Sequence, residues 1–131
     1  RLERVAYNES IDINNYPISF AKSFILDCHP CSIAIDRGQV ASESEEIALL
    51  AHELGHYFTG CLYNADSPLQ TKGRCEYRAN AWMVKALCPI DNLKKAIVNG
   101  CNTIWELADE LSLSEVVINQ AIEIYRCKGM I

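Results

Sequence analysis

The segment LLAHELGHYFTG, at residues 49–60, restricts the possible folds of this chain more than any other feature. It places His52 and His56 four positions apart, with Glu53 directly after the first histidine. On an α-helix that spacing puts the two imidazoles on one face, roughly 40° apart around the axis, with the carboxylate at their flank. A His-Glu-x-x-His helix of this kind is typical of zinc sites. We therefore expect His52 and His56 to be metal ligands.

The residues around this motif predict an amphipathic helix with defined ends. A capping box at residues 42–45 begins it, and Gly60 suits its C-terminus. Gly55 leaves room for another element to approach closely. The alternative, an ordinary buried helix, would leave two histidines and a glutamate in need of buried partners. Apolar residues at helical spacing, expected to face the core opposite the histidines, are Ile47, Leu50, Leu54 and Phe58.

A catalytic zinc ion needs a third protein ligand and an open position for water. The longer motif that continues with a glycine and a third histidine is absent, because Thr59 and Leu62 occupy those positions. A second predicted helix, residues 74–88, carries Glu76, and the small Ala79 on the same face permits close packing of the two helices. We therefore expect Glu76 to be the third ligand.

Other interpretations of this position stay open at the level of sequence. Taken alone, Glu76 could be a solvated acid that the helix dipole favours near a helix start. Asp66, Cys61 and Cys75 are the alternative ligands.

The remaining patterns predict an α+β fold in a single domain over residues 1–131. SFILDC (23–28) and SIAID (32–36) suit two short strands, and residues 1–9 suit a helix. We expect a small antiparallel or mixed sheet beside the active-site helix and a helical C-terminal half, as in a minimal zincin-like fold. In chain order, the expected parts are the N-terminal helix and strands (1–40), the active-site helices (42–88) and the C-terminal helices (90–127, with helices near 90–98, 103–111 and 114–127).

Net charge indicates which class of partner the protein binds, and cysteine content indicates its cellular compartment. A formal charge of −5 favours a protein partner, and we expect no direct binding to nucleic acid and no membrane association. Seven scattered cysteines suit reduced thiols better than a disulfide framework, so we expect a cytoplasmic protein. Cys28 and Cys31 form a CxxC, but no second CxxC or thioredoxin-like context accompanies it, so we expect reduced turn cysteines.

Four segments together resemble the ImmA/IrrE family of zinc metallopeptidases: HELGH at 52–56, EYRAN at 76–80, CP at 88–89 and WELADELSLSEVVINQAI from 105. The resemblance covers roughly residues 32–127. It implies a gluzincin-like peptidase of bacteria, phages or mobile elements that cleaves a helix-turn-helix transcriptional repressor. Carried over by position, His52, His56 and Glu76 match the ligands of Zn2+, and Glu53 matches the catalytic acid/base.

Such a site predicts a hydrolytic mechanism. Zinc would activate a water and polarise the scissile carbonyl, while Glu53 moves a proton from the water to the leaving amine. We expect the strand SIAID to be the edge that an extended substrate joins by backbone pairing. Candidates for a second oxyanion stabiliser are Tyr57, Tyr63, Tyr77, Arg78 and His29.

Two other function classes compete with this one. The first is a catalytically weak zinc-binding antirepressor or toxin-antitoxin partner, which would have no need for a base such as Glu53. The second is a DNA-binding module, because residues 103–124 have helix-turn-helix character. Its second helix, SEVVINQAI, contains an acid and no Lys or Arg, so packing or substrate docking is the better interpretation.

The C-terminal helices should therefore not bind DNA with useful affinity. We expect no sequence-specific complex in a gel-shift titration at moderate salt, because SEVVINQAI offers no cation to phosphates or base edges. A specific complex at nanomolar protein would revive the DNA-binding interpretation.

Overall fold

A computed structural model describes residues 1–26, 31–63 and 66–131 of the chain. These residues form helices around a small sheet, so the predicted α+β class is confirmed. In chain order the elements are α1 (Leu2–Asn8), β1 (Asp12–Asn15), β2 (Ser23–Leu26), β3 (Ser32–Ile35), a 3-10 turn (Arg37–Gln39), α2 (Glu43–Thr59), α3 (Leu69–Leu87), α4 (Ile90–Val98), α5 (Ile104–Leu111) and α6 (Glu115–Cys127).

The sheet is mixed, with strand order β1-β3-β2. β1 runs parallel to β3, and β2 runs antiparallel to it. SIAID therefore forms the central strand, and the expectation that it is the edge for a substrate is wrong. The cause is β1, whose polar sequence DINN gave no strand signal but whose backbone pairs with β3 from Asp12 to Asn15. β2 packs against α2, and within the described residues it pairs with another strand on one edge alone.

Local signals set the two ends of α2. The Ser42 hydroxyl accepts a hydrogen bond from the Glu45 amide at 3.2 Å, and Gly60 adopts the left-handed conformation at φ 65°. The predicted apolar stripe is buried only in its middle, at Leu50 and Leu54. Ile47 and Phe58, which lie toward the two ends of the helix, are exposed.

The face of α2 that carries the histidines is also covered. Glu53 and His56 are each only 5% exposed. β2 packs on one side of this face and α3 on the other. The face that carries the histidines is therefore packed against neighbouring elements and also holds the potential metal ligands.

The helices α2 and α3 approach closely at Gly55. A Cβ atom at Gly55 would lie 2.5 Å from the carbonyl oxygen of Ala79 and 2.9 Å from its Cα. This confirms the expected close approach, which brings the backbone of α3 against α2. α3 begins at Leu69, earlier than the predicted start at residue 74. Gly73 lies within its first turns and does not interrupt the helix.

The segment before β2 is fastened by side chains of the turn that follows β3. Asp36 Oδ2 accepts the Ile18 amide at 3.0 Å, and Gln39 Nε2 donates to the Ile18 carbonyl at 2.7 Å and to the Ala21 carbonyl at 3.1 Å. At the start of β2, Lys22 forms an ion pair with Glu45 on α2 at 2.6 Å. These contacts fix β2 relative to α2.

The three C-terminal helices complete the core, as predicted. Thr103 and Ser114 cap α5 and α6 by accepting the amides of Glu106 and Val117. The apolar face of α6 is buried, and the Tyr125 hydroxyl donates to the Cys88 carbonyl at 2.7 Å. None of the helices in the described ranges combines the length and hydrophobicity required to span a bilayer.

The cysteines differ from expectation at one pair. Cys61 and Cys75 form a disulfide, with Cα atoms 5.0 Å apart, so the prediction of reduced thiols is wrong there. The sequence did not reveal the pair because the chain turns back after Gly60 and brings residue 61 beside α3. Cys88 is fully buried, as expected for a small apolar residue. Cys28 lies outside the described residues, so the interpretation of the CxxC stays a prediction.

Replacing Gly55 should destabilise the fold through this helix contact. We expect Gly55→Ala to lower the free energy of unfolding by about 1–3 kcal/mol, because its methyl group would overlap backbone atoms that cannot move independently. Gly73→Ala is the matched control. It lies in α3 with open space around it, and should be stabilising by about 0.5–1 kcal/mol. Urea denaturation measures both, and equal effects would contradict the packing argument.

Candidate metal centre

Three side chains from α2 and α3 converge at one point. The Nε2 atoms of His52 and His56 lie 3.2 Å apart. Glu76 Oε2 is 3.0 Å from His52 Nε2, and Glu76 Oε1 is 3.1 Å from His56 Nε2. All the potential ligand atoms lie within 4.8 Å of one another, so this group can hold a metal ion. Cys61 and Cys75 are joined to each other, and Asp66 is not in the group.

Hydrogen bonds on the far side of each imidazole orient the two rings. His52 Nδ1 lies 2.7 Å from Asn80 Oδ1, and His56 Nδ1 lies 2.9 Å from the Cys61 carbonyl oxygen. When the imidazoles are neutral, each oxygen accepts a hydrogen bond from the ring Nδ1–H group, which leaves the lone pair of each Nε2 directed toward Glu76. Two lone pairs and a carboxylate at this distance repel one another unless a cation or proton lies between them. The donor set therefore fits a bound cation.

The charges at the centre favour the same conclusion. When the imidazoles also carry a proton on Nε2, hydrogen bonds from His52 and His56 hold the pKa of Glu76 well below its usual range, with Tyr63 adding to the effect. Burial lowers the pKa of His56, but its contacts with Glu76 and the Cys61 carbonyl outweigh burial and raise it overall. Glu76 is therefore ionised at neutral pH, and the site stabilises positive charge.

Glu53 lies at the flank of the histidine pair and outside the ligand group. Its Oε2 accepts a hydrogen bond from the Ser23 hydroxyl at 3.2 Å. Burial raises the pKa of Glu53, although the neighbouring histidines and Ser23 partly offset that rise. A carboxylate with increased proton affinity is suited to accept and return a proton near neutral pH.

Tyr63 is the candidate oxyanion stabiliser that the structure brings to this centre. Its hydroxyl donates to Glu76 Oε1 at 2.7 Å, and that bond raises the pKa of Tyr63 to about 12. Tyr57 packs against the core, whereas Tyr77 and Arg78 are exposed on α3 away from the groove. His29 lies outside the described residues.

The centre opens into a groove of about 760 Å³. Residues 20–26, including β2, form one wall, and the metal-site residues with Glu53 form the floor. The edge of β2 that pairs with no strand of the described ranges borders this groove. The apolar side chains that line it are Phe20, Ala21, Phe24, Ile25, Leu26, Leu49 and Leu62.

Two residues of this centre, Asn80 and Ser23, were not predicted from the sequence. Asn80 lies four positions after Glu76, and this spacing was a usable signal because it puts both side chains on one helix face. Ser23 had no comparable signal, since its distance from Glu53 depends on how the sheet packs.

Comparisons with known proteins do not assign a function to this chain. No protein-family model, no curated protein and no solved structure matches the chain. Evidence about function therefore comes from the side chains of the centre and from the groove beside it.

Removing the third ligand should remove the metal. We expect zinc content measured by atomic spectroscopy to fall from about one ion per chain to near zero in Glu76→Ala, because two imidazoles alone leave the site incomplete. Glu123→Ala is the control, since Glu123 is an exposed acid on α6, and it should retain zinc. Undiminished zinc in a folded Glu76→Ala protein would assign the third ligand elsewhere.

Proposed function

We propose that this chain is a zinc-dependent endopeptidase of the ImmA/IrrE type with a zincin-like arrangement of β2 and α2. One observation carries the proposal: His52, His56 and Glu76 converge beside the buried Glu53 at the floor of an open groove. A structural metal site would need neither a groove nor a carboxylate held next to the ligands.

The donor set favours zinc over other common ions. Two imidazoles and one carboxylate are typical zinc ligands, whereas calcium and magnesium prefer oxygen ligands throughout. Three protein ligands leave a coordination position for water or substrate, which distinguishes a catalytic from a structural zinc site. When bound, zinc would supply a Lewis acid that polarises a peptide carbonyl and lowers the pKa of a water.

The protein residues supply proton transfer and charge stabilisation. Glu53 takes a proton from the attacking water and delivers it to the leaving amine, and its raised pKa suits both steps. The Ser23 hydroxyl holds one oxygen of that carboxylate. We assign Tyr63 as the donor to the oxyanion, because its hydroxyl lies at the centre and faces the groove.

The groove supports an extended polypeptide as substrate. In the described part of the chain, β2 pairs with β3 alone, which leaves its second edge toward the groove. An extended segment can add to that edge by backbone hydrogen bonds, which bind a peptide whatever its sequence. The apolar lining then provides contacts for side chains on either side of the scissile bond.

The proposed substrate is a helix-turn-helix repressor of a phage or mobile element. This part of the proposal rests on the family resemblance of HELGH and EYRAN. Charge supports it, since a chain with net charge −5 attracts a DNA-binding protein, whose surface is basic.

Glu53→Gln should abolish cleavage and keep the metal. Glutamine preserves the size of the side chain but cannot accept a proton, so we expect cleavage of a co-expressed repressor to fall by about 100- to 10,000-fold. Fragments are detected by mass spectrometry, and zinc content is measured on the same samples. Glu43→Gln is the control, because Glu43 is exposed at the start of α2.

The test requires a repressor encoded beside this gene, since narrow specificity would make casein uninformative. If wild type and Glu53→Gln relieve repression equally and no fragments form, the protein acts by binding, as the antirepressor alternative requires. Cleavage by Glu53→Gln at the wild-type rate would exclude Glu53 as the base.

A further inference from the structure

The disulfide Cys61–Cys75 is attached to the metal centre at two points. The carbonyl oxygen of Cys61 accepts the hydrogen bond from His56 Nδ1 at 2.9 Å. Cys75 directly precedes the ligand Glu76 on α3. One covalent bond therefore connects the group that orients one ligand with the helical turn that carries another.

We propose that this disulfide positions His56 and Glu76, so that its reduction weakens metal binding. The inference rests on the proposed metal site and names a way in which that site is regulated. Cys61 and Cys75 act through the ligands and do not bind the metal themselves.

The start of α3 shows why the bond matters. Pro68 stands at the N-cap and has no polar side-chain atom with which to cap the helix. None of residues 69–74, all of which the structure describes, is buried, and Leu69 is 85% exposed. Cys75 is the first buried residue of this helix, at 2% exposure. The disulfide therefore ties the first turns of α3 covalently to the segment that follows α2.

Reduction of the disulfide would affect the position of Glu76, the potential ligand next to Cys75. Helix ends open locally at low free energy when few buried contacts hold them. Glu76 follows Cys75 directly, whereas the contact of Ala79 with Gly55 lies almost one turn further along. After reduction, fraying from Leu69 would extend to Glu76 before that helix contact stops it. The Cys61 carbonyl would also lose its covalent link to α3.

The redox chemistry needs a thiol reductant, and a dithiol is the chemical class proposed. Cys61 is half-buried and Cys75 is buried, so a thiolate of the reductant attacks the Cys61 sulfur and displaces the Cys75 sulfur as thiolate. The second thiol of the reductant then attacks the mixed disulfide and releases Cys61. Two electrons pass to the protein, both cysteines end as thiols, and the reductant becomes a cyclic disulfide.

Zinc affinity in the two redox states tests the proposal. The full chain is used oxidised, reduced by a dithiol that is then removed without air, and as Cys61→Ser/Cys75→Ser. Competition with a chromophoric chelator measures the Kd for zinc. We expect the reduced protein and the double variant to bind zinc about 10- to 100-fold more weakly, the usual effect of losing groups that orient ligands. Cys101→Ser/Cys127→Ser should retain the full redox response of the wild type, because neither residue is in the ligand group.

A second measurement does not depend on how well any variant folds. By thermodynamic reciprocity, a disulfide that strengthens zinc binding is itself stabilised by zinc by the same factor. The fraction of oxidised Cys61–Cys75 is measured in wild type across glutathione buffers, with and without zinc, by alkylation and mass spectrometry. We expect the reduction midpoint, expressed as the squared thiol concentration over disulfide concentration, to shift by the factor found in Kd.

The outcomes separate this inference from the proposed function. Equal zinc affinity in both redox states, or a midpoint that zinc does not shift, overturns the inference and leaves the metal site intact. Tighter binding after reduction also overturns it, because a cysteine thiolate would then be a ligand. Failure of every form to bind zinc overturns the metal site and the inference together.

Discussion

The contact between Gly55 and Ala79 is the constraint on which the candidate site depends. It brings the backbone of α3 so near α2 that no side chain fits between them. Glu76 and Asn80 flank Ala79 in the sequence and meet the histidines of α2 at hydrogen-bond distance as a result. The ligand set is therefore a product of helix packing, and residues with no chemical role in the site determine its geometry.

Each imidazole is held between an acceptor behind it and the carboxylate in front of it. Asn80 and the Cys61 carbonyl orient the rings, whereas Glu76 and Tyr63 determine the charge that the rings face. Glu53 is set apart from this group by its burial and its bond to Ser23. The two carboxylates thus have opposite tendencies: one stays ionised and can bind a cation, and the other readily accepts a proton. Such a separation of roles suits hydrolysis at a metal site.

Features that depend on short stretches of sequence could be predicted, and features that depend on long-range pairing could not. The capping box at Ser42, Gly60 and the spacing of His52 and His56 predicted α2 closely, because helix signals lie within a few residues. Glu76 could be nominated because its spacing and its small neighbour Ala79 both lie on one helix. β1, the central place of β3, the bond from Ser23 and the Cys61–Cys75 disulfide each join distant parts of the chain. Their own sequences contain no periodic signal for those pairings.

Intramolecular contacts hold the wall of the groove in one conformation. Asp36 and Gln39 bind the backbone of the segment that leads into β2, and the ion pair of Lys22 with Glu45 fastens the first turn of α2 to it. A flexible loop in this position would lose conformational entropy when a peptide bound to it. The free-energy cost of that ordering would weaken the binding of the peptide. Here the entropy loss is already part of folding, so backbone contacts to β2 can contribute more fully to binding. For the proposed peptidase, a preorganised strand edge of this kind would allow even a short, weakly apolar segment of the substrate to stay bound long enough to react.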